Sequence, residues 1–194
     1  MIKLNYMEER NKKMEEYAKY IDDHIERVQI AYANLISINP QLLRKICEDY
    51  MDCKNYDNYD ALLKRVQYNI INHDKSKYSD EEFLAYRKNF YPVDDREKEE
   101  NKKDFEKAWK HHYENNTHHW EYWKKKDAKT DYNKMSLIAI LEMICDWMAM
   151  SSKFNSTVIE WYSKEKDNIK LHPYTRHYVE ILIDYITTPI KAIG

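Results

Sequence analysis

The chain has 194 residues, a formal net charge of −2 and one glycine, Gly194, where average usage would give about 14. A single glycine excludes Gly-rich phosphate loops and primed hairpin turns. The near-neutral charge argues against a binder of duplex nucleic acid, whose footprint is a basic surplus. Hydrophobic residues make up 43 % of the chain, and 18 tyrosines add ring area that a mean hydropathy of −0.94 undercounts. The expectation is an all-α protein, a single-domain helical bundle over residues 1–194.

The first helix is expected from about Glu8 to Ser37, because Tyr17, Tyr20, Ile21, His24, Val28, Ala31, Tyr32 and Leu35 recur at steps of three and four or adjoin such a step. Asn39-Pro40 stops it and opens a short second helix to about Met51, with Pro at its first position. Asp52 to Asn58 reads as a polar loop. A third helix carries Tyr59, Leu62, Leu63, Val66, Ile70 and His73 on one face. Ser79 and Glu82 have the spacing of a capping box and should open a fourth helix, which runs to about Phe90. From Asp95 to about Trp123 the sequence reads as a long charged helical stretch with a break at Asn115-Asn116, and Asp94 to Lys103 as its solvated face. Met135 to Phe154 is the most apolar helix. Ser156 to Lys166 and Pro173 to Thr187 complete the set.

Cys47, Cys53 and Cys145 are an odd number without metal-type spacing and read as reduced thiols of a cytoplasmic protein. The opening MIKLNYMEERNKK lacks the apolar run of a signal peptide. The longest apolar stretch, Ser136 to Met150, is interrupted by Glu142 and Asp146 and is too short for a bilayer. No membrane partner is expected.

The chemistry-bearing residues lie on these helices. His24 sits on the inward stripe of the first. His73-Asp74 places an imidazole and a carboxylate at the buried end of the third, where an uncompensated carboxylate would cost several kcal/mol, roughly. Lys77, three residues on, is one candidate counter-charge and a metal is the other. Asp146 and Glu142 stack at i, i+4 on the most apolar helix and call for positive charge between them. Four histidines, His111, His112, His118 and His119, fall within AWKHHYENNTHHWEYW. If helical, this segment turns His112 and His119 inward, with His111 and His118 on the adjacent face. Pairs of imidazoles one or two turns apart are how helices present ligands to a metal. His172 and His177 read as surface or ordinary packing residues.

The order His24, His73-Asp74, Asp146, each on its own helix, resembles the HD-domain superfamily of metal-dependent phosphohydrolases, whose ligands follow H…HD…D. HIERV, from His24 to Val28, resembles the first-ligand helix of that superfamily. NHDKSK, from Asn72 to Lys77, is similar to its HDxGK motif with Ser76 at the glycine position. The likeness spans about residues 15–155, with residues 156–194 as further helices packed on that core. The chain also looks like an uncharacterised family of small bacterial and phage proteins with HDKSK and HHWEYW signatures.

The resemblance implies an all-helical HD-type fold and one or two divalent ions (Mn, Fe, Co, Ni or Zn). Their ligands would be His24, His73, Asp74 and Asp146, with His112, His118 and His119 at a second ion or at the substrate. It implies an enzyme hydrolysing a phosphate ester, with a small-molecule substrate such as a nucleotide. Lys77 and Arg27 would clamp phosphate and Glu142 would orient a ligand. A di-iron oxygenase on the same fold and a non-catalytic metal- or phosphate-binding protein are the alternatives. A homo-oligomer is compatible with all three.

Overall fold

Capping side chains set most of the helix starts, and two left-handed residues stand where a richer sequence would use glycine. The computed structural model describes residues 2–50, 58–126 and 131–187. The expected loop over 52–57 and Cys53 lie outside those residues. Among the described residues the chain is all-α: helices, two short 3-10 turns and no strand beyond an isolated Lys124–Tyr132 bridge. The helices are α1 (Ile2–Ile38), α2 (Pro40–Asp49), α3 (Tyr59–Ile71), α4 (Phe83–Phe90), α5 (Asp95–Glu100), α6 (Lys102–Asn115), α7 (Leu137–Lys153), α8 (Val158–Glu165) and α9 (Pro173–Thr187). Asn39, Asn58, Asp94 and Ser136 each accept a hydrogen bond from a first-turn backbone N–H, and Thr157 forms a full capping box with Glu160. Asp74 (φ 56°) and Asn155 (φ 51°) adopt left-handed backbone, which Asp and Asn tolerate better than other non-glycine residues.

The contacts divide the chain into two compact units, and the chain passes between them after Ile25, His73 and Asn116. The first unit, Met1–Ile25 with Asp74–Asn116, contains the start of α1, a 3-10 turn at Lys75–Tyr78, and α4 to α6. Its core gathers Tyr17, Ile21, Tyr86 and Ala108, with Phe83, Phe105 and Trp109 packed around them. Arg87 is fully buried, and its two Nη atoms donate to Glu97 at 2.6 and 2.7 Å. A bidentate pair of this kind satisfies both charges. Glu97 and the buried Asn101, whose amide donates to the Ala85 carbonyl at 2.7 Å, therefore depart from the solvated face expected over Asp94 to Lys103.

The second unit, Glu26–His73 with Thr117–Gly194, contains the rest of α1, then α2, α3 and α7 to α9. The apolar α7 packs against α3, α8 and α9, and Leu137, Ile140, Leu141 and Ile144 on it are essentially fully buried. Tyrosines contribute rings to this core and keep their hydroxyls bonded. Tyr32 donates to the Leu63 carbonyl at 3.0 Å, Tyr185 to Leu35 at 2.9 Å, Tyr178 to Asp49 at 2.6 Å, and Tyr50 to Met135. Cys47 and Cys145 are buried thiols. No described helix is long and apolar enough to cross a membrane.

Two further expectations need correction. The stretch from Asp95 to Trp123 does break at Asn115-Asn116, where the side chain of Asn116 bonds back to the His112 carbonyl at 2.8 Å. It also divides at the inward-turned Asn101, which ends α5, and after Asn116 it continues as a turn and a 3-10 turn (Trp120–Trp123). The residues 79–82 form no capping box. The backbone carbonyl of Ser79 takes the N–H groups of Glu82 and Phe83, and the Glu82 side chain makes no cap bond. Its carboxylate is engaged elsewhere.

Candidate metal centre

His73 ends the buried stripe of α3 that Leu62, Val66 and Ile70 begin, and it is 1 % exposed. Its Nδ1 lies 3.1 Å from Oε1 of Glu142 on α7. His118, in the turn after α6, brings its own Nδ1 to 3.2 Å of the same oxygen. Asn69 on α3 donates its amide to the other oxygen, Oε2, at 2.9 Å. The His73 and His118 rings lie 4.3 Å apart. Asp146, one turn beyond Glu142, holds Oδ1 3.8 Å from His73 Nε2. The imidazole of His73 therefore lies between the two stacked carboxylates of α7.

Burial pushes the Glu142 carboxyl upward, but the hydrogen bonds and charges of His118 and His73 outweigh it and hold the group at about 2. An ionised carboxylate only accepts hydrogen bonds. The facing Nδ1 atoms must then carry protons, and in the neutral form of each ring Nε2 keeps its lone pair for a metal. A carboxylate that fixes a ring by its far nitrogen is the usual support of a metal-binding histidine. One donor atom each from His73, His118 and Glu142 lies within 4.8 Å of the others, and all three residues are buried. This group can hold a metal ion. His119 is less buried; its ring is 4.3 Å from that of His118 and its Nδ1 is 3.9 Å from Glu121. Arg27 also belongs to this unit, and after burial itself its charge lowers the pKa of Lys153.

The first unit builds a second group around Asp74, which is 2 % exposed. Its left-handed backbone opens the 3-10 turn Lys75–Tyr78. His24 Nε2 lies 3.4 Å from Oδ2, and His112 Nε2 lies 3.2 Å from Oδ1. Lys77 also reaches Oδ2, at 2.5 Å. Behind His112 sits Glu82, fully buried, which takes His112 Nδ1 and His111 Nδ1 at 2.8 Å each and the Ser76 hydroxyl at 3.2 Å. Burial works against the His112 imidazolium, yet hydrogen bonds to Asp74 and Glu82 raise its pKa overall. Burial likewise pushes Glu82 up, while its histidine and serine bonds bring it below the ordinary carboxylate value.

Residues 13–185 match the model of a family of unknown function, DUF5662. The chain belongs to this family. No curated protein and no solved structure matches it. The DUF5662 match spans every residue of both groups, from His24 to Asp146.

Within this DUF5662 chain the second unit brings together His73, His118, Glu142 and Asp146, and the first brings together His24, Asp74, Lys77 and His112. The helical stripe expected for the histidine cluster does not extend past Asn115, so His118 rather than His119 is the deeply buried member. Two supporting residues escaped the sequence. Glu82 was hidden behind an apparent capping box. Asn69 lies on α3 one residue before the buried Ile70, and nothing in the periodicity marks it.

Proposed function

We propose that this chain is a metal-dependent phosphohydrolase of the HD type, acting on a nucleotide or another small phosphorylated molecule in the cytoplasm. The buried His73–His118–Glu142 group carries the reading. Two imidazoles locked through Nδ1 and a carboxylate, with Asp146 beside them, suit Mn, Fe, Co, Ni or Zn. The donor set fits such an ion: its two imidazoles are buried and pre-oriented, and a half-buried carboxylate adds oxygen. His73, His118 and Asp146 would hold the ion, with Glu142 orienting both rings. His24, Asp74 and His112 are the further donors in the first unit, in the H…HD…D order that supports the HD-type reading.

When bound, the ion supplies an acidified water and a Lewis-acidic partner for phosphoryl oxygens. The chain's side chains supply the rest. Arg27 and Lys77 are the cations available to steady phosphate oxygens, and Lys77 also offsets the charge of Asp74. Burial of the donors lowers the local dielectric, which strengthens each of these interactions.

The test is an assay on chelated protein with nucleoside monophosphates and simple aryl phosphates, restoring one divalent ion at a time. Turnover should return with an ion and disappear in His118→Ala and Asp146→Asn. Absence of ion-dependent turnover across the panel contradicts the proposal.

A further inference from the structure

Two cavities among the described residues differ in charge. The one in the first unit, about 440 Å³, is lined by four basic and four acidic side chains, Arg87 and Glu97 among them. Its charges cancel, and its most buried pair already satisfies itself. The one in the second unit, about 490 Å³, is lined by Lys64 and Arg65 with no carboxylate among its lining residues. Both volumes lie in the range of small-molecule sites. A surplus of two positive charges in one concavity stands out in a chain whose net charge is −2.

Four of the lining residues, Lys64, Arg65, Tyr68 and Asn69, come from α3. Lys64, Arg65 and Tyr68 project from its exposed side, and Tyr68 is 69 % exposed, which is unusual for so large a ring in a chain that buries many of its tyrosines. Thr117 and Ser136 add hydroxyls, and Ile138 an apolar wall. Asn69 also lines the cavity, and its amide is the group that holds Glu142 Oε2 at 2.9 Å. The cavity therefore adjoins the His73–His118–Glu142 group through one side chain. Arg and Lys bind phosphate oxygens through charge-assisted hydrogen bonds, and an exposed tyrosine ring beside an apolar wall accepts a planar ring by stacking.

We propose that this cavity binds a nucleoside monophosphate, with Lys64 and Arg65 on the phosphate and Tyr68 against the base. The assignment goes beyond the phosphohydrolase reading, in which Arg27 and Lys77 clamp the reacting phosphate, and does not rest on it. The binding itself does not require the metal. The three side chains are exposed, so their removal leaves the core intact.

The experiment is calorimetric titration of chelated full-length protein with adenosine 5′-monophosphate, and with adenosine and inorganic phosphate as partial probes. Wild type should bind the nucleotide saturably. Lys64→Ala/Arg65→Ala should weaken nucleotide and phosphate by about tenfold or more, the loss of at least one charge-assisted bond. Tyr68→Ala should weaken the nucleotide and adenosine and leave inorganic phosphate unchanged. Metal content, measured in parallel, should be the same in all three proteins. No saturable nucleotide binding by wild type, or equal affinity in the double variant, overturns the proposal even if ion-dependent turnover is found. Binding that the double variant loses upholds it even if no metal is bound and no turnover occurs.

Discussion

Each unit buries one glutamate that collects the Nδ1 atoms of two histidines, and the two arrangements balance their charge differently. Around Glu82, one of the two histidines, His111, reaches solvent with 37 % of its side chain exposed, and the neighbouring Asp74 has the ammonium of Lys77 at 2.5 Å. Around Glu142, both histidines are buried and the third bonded partner is a neutral amide. A lysine supplies full charge at any ordinary pH, whereas an imidazole supplies it only when protonated. The difference teaches where a cation is most needed. The first group already sets a lysine ammonium against a carboxylate, whereas Glu142 is met by two imidazoles and an amide, so the second group is where a metal ion is needed more.

Removing each glutamate probes this contrast most strongly. Glu142→Ala strips the partner from His73, His118 and Asn69, and should cost about 3–5 kcal/mol and abolish metal retention. Glu82→Ala should cost a similar amount and leave the metal of the second unit in place. Denaturant unfolding with metal analysis reads both, and equal metal content in the two variants would erase the distinction.

The pH profile of the chelated protein separates the groups by sign. The folded pKa of Glu142, about 2, lies below its ordinary 4.5. Its contribution, about 3 kcal/mol, is present above pH 4.5 and fades as the pH falls toward 2. The folded pKa of His112 lies above its ordinary 6.5. Its contribution is complete below pH 6.5 and is lost as the pH rises through the folded value. Glu142→Gln should flatten the acid limb and His112→Gln the alkaline limb, each measured by Tm against pH. A swap of those limbs would refute the assignment.

Within the Glu82 pair the two histidines should behave unequally. His112→Ala leaves Glu82 and Asp74 short of a buried partner and should cost about 3 kcal/mol. His111→Ala, at a partly exposed pair, should cost less than about 1 kcal/mol.

Much of the helical pattern was legible because buried stripes repeat at three and four, as in Tyr17 to Leu35 and in Leu62 to Ile70. The same stripe delivered His24 and His73, since an imidazole on an apolar face must meet a partner inside. Asp146 and Glu142 were legible for the converse reason, as carboxylates on an otherwise apolar helix. What sequence could not reveal depends on backbone that leaves the helix. His118 is placed by the turn after Asn115, whereas helical spacing turns His119 inward and leaves His118 on the adjacent face. Glu82 has the spacing of a cap, and only tertiary contacts divert its carboxylate to His111 and His112. The smallest expected effects test that point. Ser79→Ala should change stability by less than about 0.5 kcal/mol, while Thr157→Ala, which breaks a formed capping box, should cost about 1 kcal/mol.

The central claim is that the His73–His118–Glu142 group holds a divalent metal. The direct measurement is elemental analysis of purified wild type beside His118→Ala. Wild type should carry about one transition-metal ion per chain or more, and the variant should lose metal by about tenfold or more. Wild type that retains no transition metal, even after incubation with Mn, Fe, Co, Ni and Zn in turn, would contradict it.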